Sequence, residues 1–150
     1  MKLTSSAFAE GAMIPVKYSC NGQDVSPPLA WADVPGGTKA LALICDDPDA
    51  PAGTWVHWVA FNLPPDLTGL PEGVPAEKNP KTGGVQGTNS WRRIGYGGPC
   101  PPSGTHRYFF RLYALDNALS LSSNATAKDV QAAMKGHILA EAQLIGRYKR

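Results

Sequence analysis

A mainly β fold with long loops is what this sequence predicts, and three observations carry that expectation. The 150 residues include 16 glycines and 14 prolines, a fifth of the chain, spread between apolar runs as turn signals would be. Charged residues make up only 17%, too few for long solvated helices to dominate. The clearest apolar runs are short and rich in β-branched and aromatic residues.

Length suits one domain over residues 1–150, large enough to bury a core without disulfide staples. Leu3 to Phe8 and Met13 to Tyr18 read as short strands, the second closed by the turn dipeptide Asn21-Gly22. Ser26-Pro27-Pro28-Leu29-Ala30-Trp31 reads as extended chain, and its prolines suit an edge strand. Ala40 to Cys45, bounded by Gly36-Gly37 and Asp46-Asp47-Pro48, reads as a buried strand. Trp55 to Leu63 is the clearest strand, closed by Pro64-Pro65. Simple alternation places Trp55, His57, Val59 and Phe61 on one face, with Val56, Trp58 and Ala60 on the other. Tyr108 to Leu115 is a further strand. The intervening stretch from Pro64 to Thr105 is long for a loop, which points to function. Thr126 is placed to cap a helix over Ala127–Lys135, with Asp129 in its first turn, an apolar stripe of Val130, Ala133 and Met134, and Gly136 as its stop. Periodicity fits Ile138 to Tyr148 to either a strand or a helix.

The net charge is +2 and no basic face stands out, so nothing favours nucleic acid. No apolar run approaches the ~20 residues needed to span a bilayer, and Met1 is followed by no signal-like apolar segment. Three cysteines, Cys20, Cys45 and Cys100, are too few for a disulfide scaffold. Their odd number favours reduced thiols and a cytoplasmic protein, a Cys20–Cys45 bridge being the alternative.

Two segments hold the residues that carry chemistry. In Asp47-Pro48-Asp49-Ala50-Pro51, Asp-Pro pairing makes a rigid turn. Its functional reading is that the turn aims Asp47 and Asp49 at a cavity, with His57 returning on the next strand beside a carboxylate that fixes its tautomer. The competing reading is a plain turn and a buried structural histidine. The second segment runs from Gly95 through Gly97-Gly98-Pro99-Cys100-Pro101-Pro102 to Gly104-Thr105-His106-Arg107-Tyr108. Glycine amides form anion-favouring nests and prolines stiffen the loop. Alone, this reads more simply as a crossover. Trp31 and Trp58 read as core, Arg92–Arg93 as a solvated loop, and His137 as surface.

Together the two segments, with Ser26-Pro27-Pro28-Leu29-Ala30-Trp31, resemble the phosphatidylethanolamine-binding protein (PEBP) family, in particular its bacterial and archaeal Raf-kinase-inhibitor-like branch. The resemblance runs from about Phe8 to Tyr148. It implies an antiparallel β-sandwich with Greek-key-like connections and one or two short peripheral helices, and resolves Ile138–Tyr148 as strand. It also implies a small pocket for phosphate, phosphoethanolamine or similar anions. By motif match, Asp47, His57, Gly98, Pro99, His106 and Tyr108 become pocket residues and Trp55 an aromatic at the mouth. Asp49 becomes a second acidic position acting through Arg107. The expected mechanism has His57 and His106 donating N–H bonds to the anion, helped by glycine-loop amides. The chain departs from eukaryotic members in a shorter approach from the proline loop to His106 and in stopping at Arg150, without the C-terminal helix of animal members. Both weaken any carry-over of lipid gating or kinase inhibition.

The resulting expectation is a non-catalytic binding protein without cofactor or metal. Alternatives are an inhibitor of a kinase or protease, and a weak hydrolase or metal-dependent enzyme using the Asp and His residues or a Cys100–His106 pair. Exposed apolar residues on an edge strand, with the family resemblance, suggest a homodimer.

Overall fold

The apolar runs become the central strands of the molecule. A computed structural model describes residues 1–150, with strands β1 (Lys2–Thr4), β2 (Leu29–Ala32), β3 (Ala40–Asp47), β4 (Trp55–Leu63), β5 (Gly69–Leu70), β6 (Val85–Gln86) and β7 (Thr105–Leu115), helix α1 (Ala127–Met134) and strand β8 (Ile138–Lys149). They form two antiparallel sheets: a small one in the order β1-β2-β5 and a large one in the order β6-β4-β3-β7-β8. β7 returns to lie beside β3, on the side away from β4, which is a Greek-key-like arrangement.

All eight residues of β3 are buried, because this central strand is covered on both faces. Leu41, Leu43 and Cys45 point into a core between the sheets, where they meet Leu29 and Trp31 of β2, Trp58 of β4 and Phe110 and Leu112 of β7. Ala42 and Ile44 point the other way, against Val130 and Met134 of α1. The helix begins as its sequence foretells. Thr126 accepts from Asp129 N–H while the Asp129 carboxylate accepts from Thr126 N–H, a reciprocal capping box. Gly136, just beyond it, takes a positive φ of 82°.

Four readings need correction. Met13–Tyr18 is not a strand: Met13 makes one isolated bridge to Arg147, and Val16–Tyr18 is a single 3-10 turn behind Pro15, which has no N–H to give a ladder. Only Lys2–Thr4 of the Leu3–Phe8 run is strand, since at Ser5 the side chain turns to the backbone, donating to Pro28 O and accepting from Ala7 N–H. β2 is the middle strand of its sheet, with Pro27 and Pro28 lying just ahead of it.

The fourth correction bears on function. Cys45 pairs with Trp58 and Asp46 with Val56, so His57 is an extra residue, a β-bulge in β4. Alternation therefore breaks there. Val56, Val59 and Phe61 face the helix layer, whereas Trp58 faces the core between the sheets. His57 joins that second side, its ring edge-on to Tyr108 at 5.1 Å, instead of lying with Val59 and Phe61.

Candidate functional site

Antiparallel pairing brings the end of β3 and the starts of β4 and β7 together. Asp47 lies opposite Trp55, and Asp46 opposite Phe109, at one end of the large sheet. The 48–54 turn and the 90–102 loop close over this end and enclose a cavity of about 650 Å³, lined by Asp47, Trp55, His57, Trp91, His106 and Tyr108 among others.

Each histidine is held by its Nδ1. His106 Nδ1 lies 2.6 Å from Asp47 Oδ2, and His57 Nδ1 lies 2.8 Å from Gly97 O. A carbonyl and an ionised carboxylate can only accept, so both Nδ1 atoms carry hydrogen. Asp47 is fixed in turn, its Oδ1 accepting from Asp49 N–H at 2.8 Å. The carboxylate expected beside His57 thus belongs to His106, and the bulge gives His57 a backbone carbonyl. In its neutral form each ring is left with a lone pair at Nε2, an atom that neither bond engages. Burial pushes the His57 pKa below its ordinary 6.5, partly offset by the Gly97 carbonyl and Asp47, so the neutral form is favoured. When neutral, both rings are acceptors at Nε2; the donor role expected of them belongs to the protonated rings.

The rest of the wall is aromatic. Trp91 and Tyr108 meet the His57 ring edge-on at 4.9 Å and 5.1 Å, and Trp55 meets Trp91 at 5.6 Å. Trp55 is 37% exposed, as befits the mouth. Tyr108 is buried, and its hydroxyl has no hydrogen-bond partner in the protein. An orphaned hydroxyl at this depth is costly unless something fills the cavity beside it. Burial and the Asp47 charge raise its pKa, keeping it a neutral donor.

Three expected pocket residues sit behind the wall. Asp49 does not line the cavity. Its carboxylate takes both Arg107 Nε (2.9 Å) and Nη2 (2.8 Å) and also Arg107 N–H (3.0 Å), which tethers the 48–54 turn to β7. Those bonds hold its carboxyl down to about 2. A depressed carboxyl stabilises the fold above its unfolded pKa, near 3.8, and loses that effect as pH falls towards 2. Asp49→Asn is therefore expected to flatten the acid limb of the stability curve between those values, measured by urea unfolding at stepped pH. An unchanged limb would mean the pair contributes nothing there.

Gly98 and Pro99 are the other two. The Gly98 N–H donates to Asp24 Oδ1 at 2.7 Å, and Pro99 O accepts from Cys20 N–H at 3.1 Å. A Cβ on Gly98 would lie 2.1 Å from Tyr18 O, so glycine is needed for close packing against the Tyr18–Asp24 segment. Gly97 N–H donates to His57 O. Both glycine amides are already engaged, and no anion nest is formed by them.

The cysteines also depart from expectation. Cys20 and Cys100 form a disulfide that pins the cavity loop to the Tyr18–Asp24 segment, while Cys45 is the buried free thiol. Neither reduced thiols throughout nor a Cys20–Cys45 bridge is correct. With its sulfur bonded, Cys100 lines the cavity as wall and presents no thiolate in this state.

The model of the family described as "phosphatidylethanolamine-binding protein" matches residues 4–149. The chain belongs to the phosphatidylethanolamine-binding protein family. A UPF0098 protein of Methanothermobacter thermautotrophicus is 57% identical over 150 residues, covering 100% of this chain and 99% of the relative. A UPF0098 protein of Aquifex aeolicus is 49% identical and covers 100% and 89%. Among solved structures, the PEBP homolog CT736 of Chlamydia trachomatis superposes with a TM-score of 0.92 at 45% identity, covering 99% of this chain and 97% of that one. E. coli YbcL, named as a member of the mammalian PEBP family, superposes with a TM-score of 0.91 at 32% identity, covering 99% and 98%. The PEBP fold is therefore that of this chain, and it contains no helix long and apolar enough to cross a membrane.

Sequence reading missed Trp91, the Gly97 carbonyl and the Thr54 and Ser90 positions on the wall. Trp91 was eclipsed by the neighbouring Arg92–Arg93 pair. Its signal was Asn89, two residues earlier, whose Oδ1 accepts from Trp91 N–H and Arg93 N–H in a tight turn.

Proposed function

We propose that this PEBP-family protein binds a small phosphate- or phosphoethanolamine-type ligand in the cavity and does not transform it. One observation carries the reading. Tyr108, whose buried hydroxyl has no protein partner, and two imidazoles fixed through Nδ1 line one cavity with aromatic walls. Polar atoms held ready in this way orient a ligand with little reorganisation on binding. Ser90, a hydroxyl on the wall, is employed structurally, its Oγ accepting from Val56 N–H at 2.8 Å. An aromatic mouth beside the Asp47 carboxylate suits the ammonium of an ethanolamine group.

The test is a calorimetric titration of phosphoethanolamine into the wild type and His57→Ala, near neutral pH and low salt. Loss of one hydrogen bond to a charged ligand corresponds to about 1.5–3 kcal/mol, so affinity is expected to fall roughly 10–100-fold. Equal binding by a folded His57→Ala protein would place the ligand elsewhere.

A further inference from the structure

We propose that the Cys20–Cys100 disulfide is a thiol-exchange site, at which a dithiol reductant attacks Cys20 and thereby releases residues 100–104, a stretch of the cavity wall. This goes beyond the binding function proposed above and holds whatever the cavity accepts.

The two sulfurs stand in unlike surroundings. Cys20 is exposed, whereas Cys100 is half-buried and lines the cavity. An attacking thiolate needs access to the sulfur it strikes, and Cys20 offers it. On the other side of the bond, Arg150 Nη1 lies 3.3 Å from Cys100 Sγ. A guanidinium beside a sulfur stabilises its thiolate, and the thiol of lower pKa leaves faster. Exposure thus selects Cys20 as the sulfur attacked, and Arg150 favours Cys100 as the sulfur expelled. The remaining thiol, Cys45, takes no part. It is buried between the sheets, and burial pushes its pKa up. Both reducing thiols therefore come from the reagent.

The exchange balances in two steps. A thiolate of the dithiol bonds to Cys20 Sγ and the Cys20–Cys100 bond breaks, leaving Cys100 as a thiolate beside Arg150. The reagent's second thiolate then attacks the reagent's own sulfur in the mixed disulfide. That closes the reagent's disulfide and expels Cys20 as a thiolate. The dithiol is oxidised, the protein disulfide gains its two electrons, and the protons shed by the dithiol pass to solvent or to the new thiolates.

What reduction frees follows from the hydrogen bonds. Tyr96 Oη donates to Tyr18 O, Gly97 N–H to His57 O and Gly98 N–H to Asp24 Oδ1, while Pro99 O accepts from Cys20 N–H. None of these passes through sulfur. β7 then begins at Thr105, which pairs with Lys149. Between these anchors the backbone of residues 100–104 makes no hydrogen bond, so the disulfide and the Arg150 contact are its only covalent and polar ties. Cys100, Pro101 and Pro102 of this stretch line the cavity. Reduction therefore loosens one wall, while Gly97 keeps its hold on His57.

The experiment uses the whole wild-type chain under native conditions. A brief pulse of 2-mercaptoethanol is stopped by alkylation, and mass spectrometry of the peptides locates the mixed disulfide. The adduct is expected on Cys20, with Cys100 alkylated, and Arg150→Gln is expected to form it several-fold more slowly. Dithiothreitol then reduces nitrogen-15-labelled protein, and alkylation of a sample confirms that both sulfurs are free. The order parameters of the Ser103 and Gly104 amides are expected to fall from about 0.85, the rigid-backbone value, to below about 0.6, while those of Gly97, Gly98 and Leu43 hold. An adduct on Cys100, wild-type kinetics in Arg150→Gln, or a disulfide that opens only in urea would overturn the exchange site. Unchanged order at Ser103 and Gly104 in reduced protein, or order lost at Leu43 as well, would overturn the local release of the wall. No reading here uses a ligand, so failure of this proposal and failure of the binding function are separate results.

Discussion

Replacing Trp58 with alanine is expected to cost about 3–5 kcal/mol of stability, the range for truncating a fully buried aromatic. The side chain is completely buried between the two sheets and stacks edge-on with Tyr96 at 5.5 Å. Its Nε1–H donates to Gln86 Oε1 at 2.8 Å, and the Gln86 amide in turn donates to Pro75 O (2.6 Å) and Glu77 O (2.8 Å). The substitution therefore opens a cavity and strips an acceptor of its donor, at a residue that organises the long loop before the site. Urea unfolding measures the loss. A loss under about 1 kcal/mol would show that the core between the sheets collapses freely around position 58.

Removing the disulfide ranks next. Cys20 and Cys100 are 80 residues apart in sequence, and a cross-link that closes a loop of this length restricts the unfolded chain strongly. Chain-entropy arguments give about 4.5 kcal/mol, with measured values for such links between about 2 and 5. The Cys20→Ser/Cys100→Ser double variant is expected to lose that amount, and the wild type to match it after reduction. Thermal melting with and without reductant reads both. Cys20 is exposed, so reduction does not require prior unfolding. A melting curve indifferent to reductant, in protein shown by mass to be reduced, would contradict the expectation. Because Cys100 also lines the cavity, the double variant reports whether that wall needs its tether.

The central strands of the large sheet, β3, β4 and β7, were legible in sequence because they are largely apolar and sharply bounded. Ala40, Trp55, Leu63 and Leu115 all mark observed boundaries of β3, β4 and β7. Helix α1 was legible from its cap. Met13–Tyr18 misled because alternation is a statement about faces, and this segment is pinned by turns instead, through Ser19 N–H to Val16 O and Gly22 N–H to Ser19 O. The same limit explains His57. A period of two holds only in a regular strand, and the bulge that turns His57 towards Tyr108 depends on which β3 residue pairs with which. The chemistry-bearing residues Asp47, Trp55, His57, His106 and Tyr108 were legible and converge on one cavity. Their wiring was not. That Asp47 serves His106 and Gly97 serves His57 follows from spatial neighbours far apart in sequence. So does the pairing of Cys20 with Cys100, which three scattered cysteines left open.

The central claim is that two histidines, each hydrogenated at Nδ1, present Nε2 to a phosphoryl ligand in a shared cavity. Nitrogen-15 NMR of the imidazole rings at pH 8, before and after adding phosphoethanolamine, tests it most directly. The result expected is the Nδ1–H tautomer for His57 and His106 in the free protein. On titration their Nε2 resonances should move, while those of exposed His137, paired with Asp116 outside the cavity, stay in place. An Nε2–H tautomer for either cavity histidine, or Nε2 resonances unmoved by saturating ligand, would contradict the account.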